Sequence, residues 1–289
     1  MQAFIISAYK DFPRVRTIVS SLAGVFPCYV HVDASGEITE AETRQLDAIP
    51  NVHAYRKYRI NWGSFNLLRA HLFLCREALK DPDITYFHLM SAQDYPILSQ
   101  QEMHERFDKS DRIYCQMIRV ADYPELRTWH EHYHFQWLIN YRDPSEKTQN
   151  LVGRIDRFQD ALHIRRKLNP TWKGLGWVSF PRDACEYLVA DRRSLAWLKK
   201  MRFTYTEEFF FQNVFTGTAF EARIEPFCQH FDIWDKPERG LPPCVLQMED
   251  LPRIEASGCA FARKVEADSE LYKVLEARWN GQPAEQADA

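Results

Sequence analysis

Residues 84–99 read ITYFHLMSAQDYPILS. The first seven are apolar or aromatic apart from Thr85 and His88, and the run is short. A short, nearly continuous apolar run is what a strand covered on both faces looks like. SAQDYP (91–96) closes it with turn chemistry. Parallel α/β sheets collect their ligands at the carboxyl ends of such strands, so Gln93 and Asp94 are candidates to face a crevice. The competing reading is that Asp94 caps its own turn and Tyr95–Pro96 fixes it.

Outward from this strand, strand and helix patterns alternate. QAFIISA (2–8) is β-prone, and residues 11–22 carry helical spacing at Val15, Ile18, Val19 and Leu22. CYVHVD (28–33) predicts a second strand, Glu40 to Leu46 a helix, and Val52 to Tyr55 a third strand. Ser64 is a candidate N-cap for a helix to Lys80. Gln101 to Phe107 predicts a helix and Arg112 to Val120 a strand. Repetition of this unit implies an α/β fold, an open and mostly parallel sheet flanked by helices on both faces. In the second half, helices are expected over Glu125–Tyr141, Leu151–Leu168 (amphipathic, with Arg165, Arg166 and Lys167), Asp183–Val189, Thr206–Phe215, Asp250–Ala256 and Asp268–Trp279. Val178 to Phe180 reads as a short strand.

Composition narrows the function classes. With 289 residues, 45% hydrophobic and 27% charged, the chain reads as an ordinary globular protein. Lys and Arg number 37 against 40 Asp and Glu, a net charge of −3, which speaks against a general nucleic-acid binder. Seven widely spaced cysteines without a CxxC predict neither a disulfide framework nor a structural zinc site, and imply a reducing compartment. MQAFIISAYKDF lacks the features of a signal peptide. No uncharged apolar run nears the roughly 18 residues of a membrane span. A cytoplasmic protein is expected, with room for peripheral docking on the inner membrane.

Several clusters could carry chemistry. His31 and Asp33 end a strand, where a carboxylate can accept from a ribose or a uracil edge; Asp-Ala-Ser-Gly is equally good turn chemistry. Asp81-Pro82-Asp83 precedes its strand rather than following it, and reads as a surface turn. TYTEEFFFQN (204–213) places Glu207 and Glu208 at a helix start, about 100° apart around the axis. Thr204 and Glu207 have capping-box spacing. Glu208, beside so much aromatic surface, would be partly desolvated and raised toward a general base. AFARKV (260–265) puts Arg263 and Lys264 at a strand end, where two cations suit a diphosphate; a solvated pair is the plainer reading. His130, His132 and His134 alternate in WHEHYHF (129–135). Alternating histidines can bind zinc, but no fourth ligand is evident and a polar, aromatic cleft fits better.

Seven segments, taken in order, resemble the Core-2/I-branching enzyme family of glycosyltransferases, which also contains peptide O-xylosyltransferases. They are CYVHVDAS (28–35), INWGSFNLLRAHL (60–72), YFHLMSAQDYPILS (86–99), GLGWVSFPRDACEYL (174–188), TEEFFFQNVF (206–215), DIWDKP (232–237) and FARKVEAD (261–268). The resemblance spans residues 1–279. It implies a GT-A-type, Rossmann-like single domain, with a nucleotide-binding half (1–120), an acceptor-binding and catalytic half (121–279), and a frayed tail (280–289). It further implies inverting transfer of a sugar, GlcNAc or xylose, from a UDP-sugar to a hydroxyl of a glycan or glycolipid. Neither metal nor cofactor is implied beyond the UDP-sugar co-substrate. Ala92 stands where the first acid of an Asp-x-Asp would be. Glu208 matches the family's base, Glu207 replaces the usual Asp, and Lys264 matches the diphosphate lysine, with Arg263 beside it. The family's second arginine has no clear match, and Arg253 is the candidate offered for it. Asp33, with His31, would hold the uridine; Gln93, Asp94, Trp62, Arg127, Trp129, Trp177 and Trp234 would line the substrate cleft. Mammalian members carry a signal anchor, a stem and disulfides that this sequence lacks, which points to a stripped bacterial-style member. The rival readings are a metal-dependent GT-A enzyme of another family, using Asp94 and a histidine, and a non-catalytic nucleotide- or carbohydrate-binding module.

Overall fold

Strand β1 (Gln2–Ala8) explains the layering. Successive side chains of a strand point to opposite faces. Here Phe4, Ile6 and Ala8 enter one apolar core and Ala3 and Ile5 another. The structure, a computed structural model, describes all residues except Trp62, 136–138, 141–142, 144, 202–204, 241 and 283–289, and describes no side chain at 127, 128 or 237. The further strands are β2 (Cys28–Val32), β3 (Val52–Tyr55), β4 (Tyr86–Ser91), β5 (Asp94–Pro96), β6 (Ile113–Tyr114), β7 (Ile118–Arg119), β8 (Trp172–Lys173), β9 (Ser179–Pro181), β10 (Ile224–Glu225), β11 (His230–Phe231) and β12 (Phe261–Arg263).

The main sheet runs β10-β6-β9-β4-β1-β2-β3. Strands β4, β1, β2 and β3 are parallel, and β9 enters antiparallel between β4 and β6. The α/β fold expected from the alternation is therefore the observed one. Chain order turns back at β1, and the crevice at such a switch point lies over the carboxyl ends of the strands. His88, fully buried in mid-β4, has Nδ1 at 2.9 Å from Ser179 Oγ and Nε2 at 3.1 Å from Gln2 Oε1, which joins three neighbouring strands. A second sheet, β11-β12-β5, crosses the carboxyl end of β4, and β7 pairs with β8.

Helices Phe12–Ala23, Leu251–Ala256 and Glu270–Trp279 cover one face, and helices Phe65–Ala78, Arg182–Ala190 and Glu207–Phe215 cover the other. Helix Glu207–Phe215 buries Phe209, Phe210, Phe211, Val214 and Phe215. Each of these side chains contributes about 1.5–3 kcal/mol of burial. A helix apolar all round must lie inside, so the acids at its start are drawn to the rim of the core.

Three expectations change. The strand expected over 112–120 splits into β6 and β7, because the chain leaves the sheet at Gln116, whose Oε1 accepts from Leu175 N at 3.1 Å. Of the helix expected over 125–141, the described residues form α-helix at Arg127–Glu131, after a 3₁₀ turn at Pro124–Leu126, while 136–138 and 141 lie outside the described residues. His132 turns extended there, its ring held between Asp156 and Asp160. The helix expected over 151–168 runs Glu146–Ala161 instead. Ser145 caps its start by accepting from Thr148 N, and His163 ends it with a left-handed φ of 52°. Helix Arg192–Lys200 had no signal recognised in the sequence. The cysteines are free thiols. No helix among the described residues is long and apolar enough to cross a membrane.

Candidate active site

Asp33 follows β2 directly, and its N–H donates to Ala8 O at 2.8 Å, across the ends of β1 and β2. Its Oδ1 accepts from Ser35 N and Ser35 Oγ, both at 2.8 Å, and from Ile60 N at 2.9 Å. Oδ2 accepts nothing from the described residues, so one oxygen builds the loop and the other is open to a ligand. A cleft of about 460 Å³ opens here, lined by Tyr9, Asp33, Ser35, Gly36, Ile60 and Asn61 among others. Gly36 is required, because a Cβ would stand 2.2 Å from Tyr9 O. His31 does not face this cleft. It is fully buried, its Nε2 accepts from Tyr58 N at 3.0 Å, and burial lowers its pKa to about 4. A neutral imidazole thus braces the loop from inside, which corrects its expected contact with substrate.

Asp94 is the second correction. One of the two readings of the sequence points it into the crevice, but it has no exposed surface. Its Oδ2 accepts from Ser91 N at 2.6 Å and its Oδ1 from Ser91 Oγ at 3.2 Å, the turn-capping alternative. Strand β12 then lays Arg263 opposite Asp94 in the antiparallel register, with Arg263 Nη1 at 2.6 Å from Asp94 Oδ1. Nη1 also donates to Ser91 Oγ. The guanidinium lies 4.5 Å from the centre of the Trp177 ring, a cation–π contact. One edge of the arginine fork is held, while Nε and Nη2 donate to none of the described residues. Gln93 is half-buried, and its carbonyl accepts from Val265 N at 2.8 Å, just past Lys264. Lys264 is half-buried, and its backbone is fixed by Cys244 and Leu246. His230 packs against this group, its Nε2 3.7 Å from Asp94 Oδ2. Burial raises the Asp232 pKa, opposed by Trp234 and Arg263. Trp234 is 55% exposed, open to stack on a ring.

The acids occupy a third cluster. Glu208 Oε2 lies 2.7 Å from Lys173 Nζ, and both side chains are largely covered. Burial raises the Glu208 pKa, and Lys173 opposes the rise. Lys173 Nζ lies 5.5 Å from the centre of the Trp129 ring, which packs on Tyr205 at 4.4 Å. Glu207 turns inward. Its pKa is pushed up to about 8, chiefly by burial and further by Glu208, and its Oε2 is buried without a hydrogen-bond partner. The helix N-cap is Thr206, which makes no side-chain cap; Thr204 of the expected capping box lies outside the described residues.

Two contacts join the clusters. A Cβ on Gly176 would lie 3.0 Å from Glu207 Cγ, so the segment that carries Trp177 under Arg263 also packs on the acids. Tyr205 N donates to Gly63 O at 2.8 Å, which ties the acid helix to the loop walling the Asp33 cleft. Lys173, Ser91 and His230 were not singled out in the sequence. Trp62 and the Arg127 side chain lie outside the described residues. Arg253 is exposed on its short helix, 5.9 Å from the Phe231 ring centre, and nothing ties it to Arg263. Among the described residues the alternating histidines gather no metal-holding group: His132 is spent on Asp156 and Asp160, and no cluster of three or more His, Cys, Asp or Glu that could hold a metal is found there. Asp81 accepts from Asp83 N at 2.9 Å, a surface turn as expected.

An open sheet with acids and cations gathered at its carboxyl edge has the layout of a ligand-binding α/β enzyme. Residues 2–255 match the sequence profile of the Core-2/I-branching enzyme, and the chain belongs to that family, a family of glycosyltransferases. The chain is also similar to a solved structure described as the WbbM bifunctional glycosyltransferase in its apo form, with a TM-score of 0.44 and 9% identity, covering 97% of this chain and 52% of that one. It thus spans about half the length of that structure. No curated protein matches the sequence.

Proposed function

We propose that the chain transfers a sugar from a UDP-sugar, GlcNAc or xylose, to a hydroxyl of a glycan or glycolipid acceptor, with inversion and without a metal. The observation that carries this reading is Glu208, a largely covered carboxylate with raised pKa, set beside Lys173 and the Trp129–Tyr205 pair. Glu208 takes the proton of the acceptor hydroxyl. The oxygen attacks the anomeric carbon from the face opposite the diphosphate, and the bond from that carbon to the β-phosphate oxygen breaks. Charge building on the phosphate falls to the open N–H groups of Arg263 and to Lys264. Asp33 Oδ2 takes a hydrogen bond from the uridine.

Three measurements test this. Asp33→Ala is expected to weaken UDP binding by about 1–3 kcal/mol, the scale of a lost charged hydrogen bond; unchanged affinity by calorimetry returns Asp33 to a turn-building role. Transfer is expected to persist in excess EDTA, since Ala92 offers no ligand and both oxygens of Asp94 are engaged. Loss of activity on chelation with recovery by Mn²⁺ reinstates the metal-dependent alternative. A base works as the carboxylate, so the rate rises as pH passes upward through the Glu208 pKa. Lys173 holds that pKa down, so Lys173→Met is expected to move the acid limb of the kcat/KM profile to higher pH. A limb that stays in place removes Glu208 from the base role.

A further inference from the structure

Helix Glu146–Ala161 sits on the protein with its apolar side outward. At about 100° per residue, Leu151, Ile155 and Phe158 fall within about 60° of one another. Leu162, just past the helix, continues the line. A surface helix ordinarily turns such a stripe to the core. Here Leu151 is 46%, Phe158 61% and Leu162 57% exposed. The side that meets the protein is built around polar groups, with Val152 and Ile155 half-buried at its edge. Gln159, the buried residue of the helix, accepts from Tyr133 N at 2.7 Å and donates to Tyr133 O at 3.2 Å. His132 places its two ring nitrogens 3.0 Å from Asp156 and 3.2 Å from Asp160.

Charge is sorted around the same axis. Lys147 and Arg154 lie about 40–60° from Leu151, and Arg157 about 120° away. All three are exposed, and none forms an ion pair with a described residue. Asp156 and Asp160 face His132, about 140° and about 180° from Leu151, and Asp160, still exposed, also pairs with Arg165. Glu146 lies about 140° from Leu151, beside Arg157. The outward face is therefore apolar and cationic. A second copy meeting it by two-fold symmetry would set cations against cations, whereas an anionic bilayer presents acyl chains to the stripe and headgroups to its flanks.

We propose that helix Glu146–Ala161 is a docking element that lies on an anionic lipid surface, with Leu151, Phe158 and Leu162 entering the acyl boundary and Lys147, Arg154 and Arg157 at headgroup level. This assignment does not depend on the transferase reading. The test is sedimentation of the full chain with vesicles of phosphatidylcholine alone and of phosphatidylcholine with phosphatidylglycerol in equal parts. Wild-type protein partitions at least about tenfold more strongly onto the mixed vesicles, and added salt weakens it. The pair Leu151→Ser, Phe158→Ser lowers that partition by about tenfold or more. The pair Arg154→Gln, Arg157→Gln removes the preference for phosphatidylglycerol, at about fivefold per cation. These side chains are exposed, so melting temperatures stay near wild type and loss of folding does not confuse the result. Wild-type protein that sediments with neither vesicle overturns the assignment. So do variants that bind as wild type does, or a wild-type dimer that the serine pair turns into a monomer.

Discussion

Glu208→Gln is expected to lower kcat by about 10²–10⁴-fold, the usual contribution of a positioned base, and to leave UDP affinity within about twofold. The amide keeps the shape of the side chain but cannot take the acceptor proton. It leaves Lys173, 15% exposed, without its carboxylate, so some fall in melting temperature accompanies the loss of rate. Lys264→Ala is the contrasting variant. An ammonium facing a diphosphate acts in the bound ground state as well as in the transition state, so UDP itself binds about 1.5–3 kcal/mol more weakly. If Glu208 served only as an acid at a helix start, its replacement would cost less than about 1 kcal/mol of stability and leave turnover alone. An active Glu208→Gln enzyme defeats the proposed mechanism.

Arg263→Ala is expected to give the largest loss of stability, about 3–5 kcal/mol, because it strands a buried charge. Asp94 has no exposed surface and, once the arginine is gone, keeps its bonds to Ser91 and the neutral His230 ring 3.7 Å away. Denaturant unfolding should show a lower midpoint at unchanged slope. The double variant Asp94→Asn, Arg263→Gln should recover part of the loss, since it removes both charges and keeps hydrogen-bonding groups at both positions. A single variant as stable as wild type would mean that the pair is not worth its geometry, and would leave Arg263 free to act on the phosphates alone.

What the sequence conveyed depended on how local the cause was. Strands β1, β2 and β4 are continuous apolar runs, and their ranges were readable within two residues. The start of helix Phe12–Ala23 was readable because Asp11 accepts from Arg14 N, three residues on. For Asp94 the sequence left a crevice-facing carboxylate and a turn cap both open, and could not decide between them because the group that claims it arrives on β12. Lys173 was invisible for the same reason: nothing in TWKGLGW announces that a strand residue pairs with an acid on a helix 35 positions on. The helix expected through His132 failed where distant carboxylates outbid a local periodicity. The candidate site is thus assembled from short pieces, each plain in type, whose pairing is set by the fold.

The Asp94–Arg263 pair spans 169 positions, and this bears on how the protein can change over generations. A lineage that replaces either residue first passes through a state with a lone charge in a largely covered site, and one that loses the arginine first also strips the Trp177 ring of its cation. The two positions are then one heritable character. Drift at either is checked by the other, and a relative that lacks the arginine is expected to have exchanged the aspartate as well. Ser91, whose hydroxyl and amide both serve the pair, is bound to the same history.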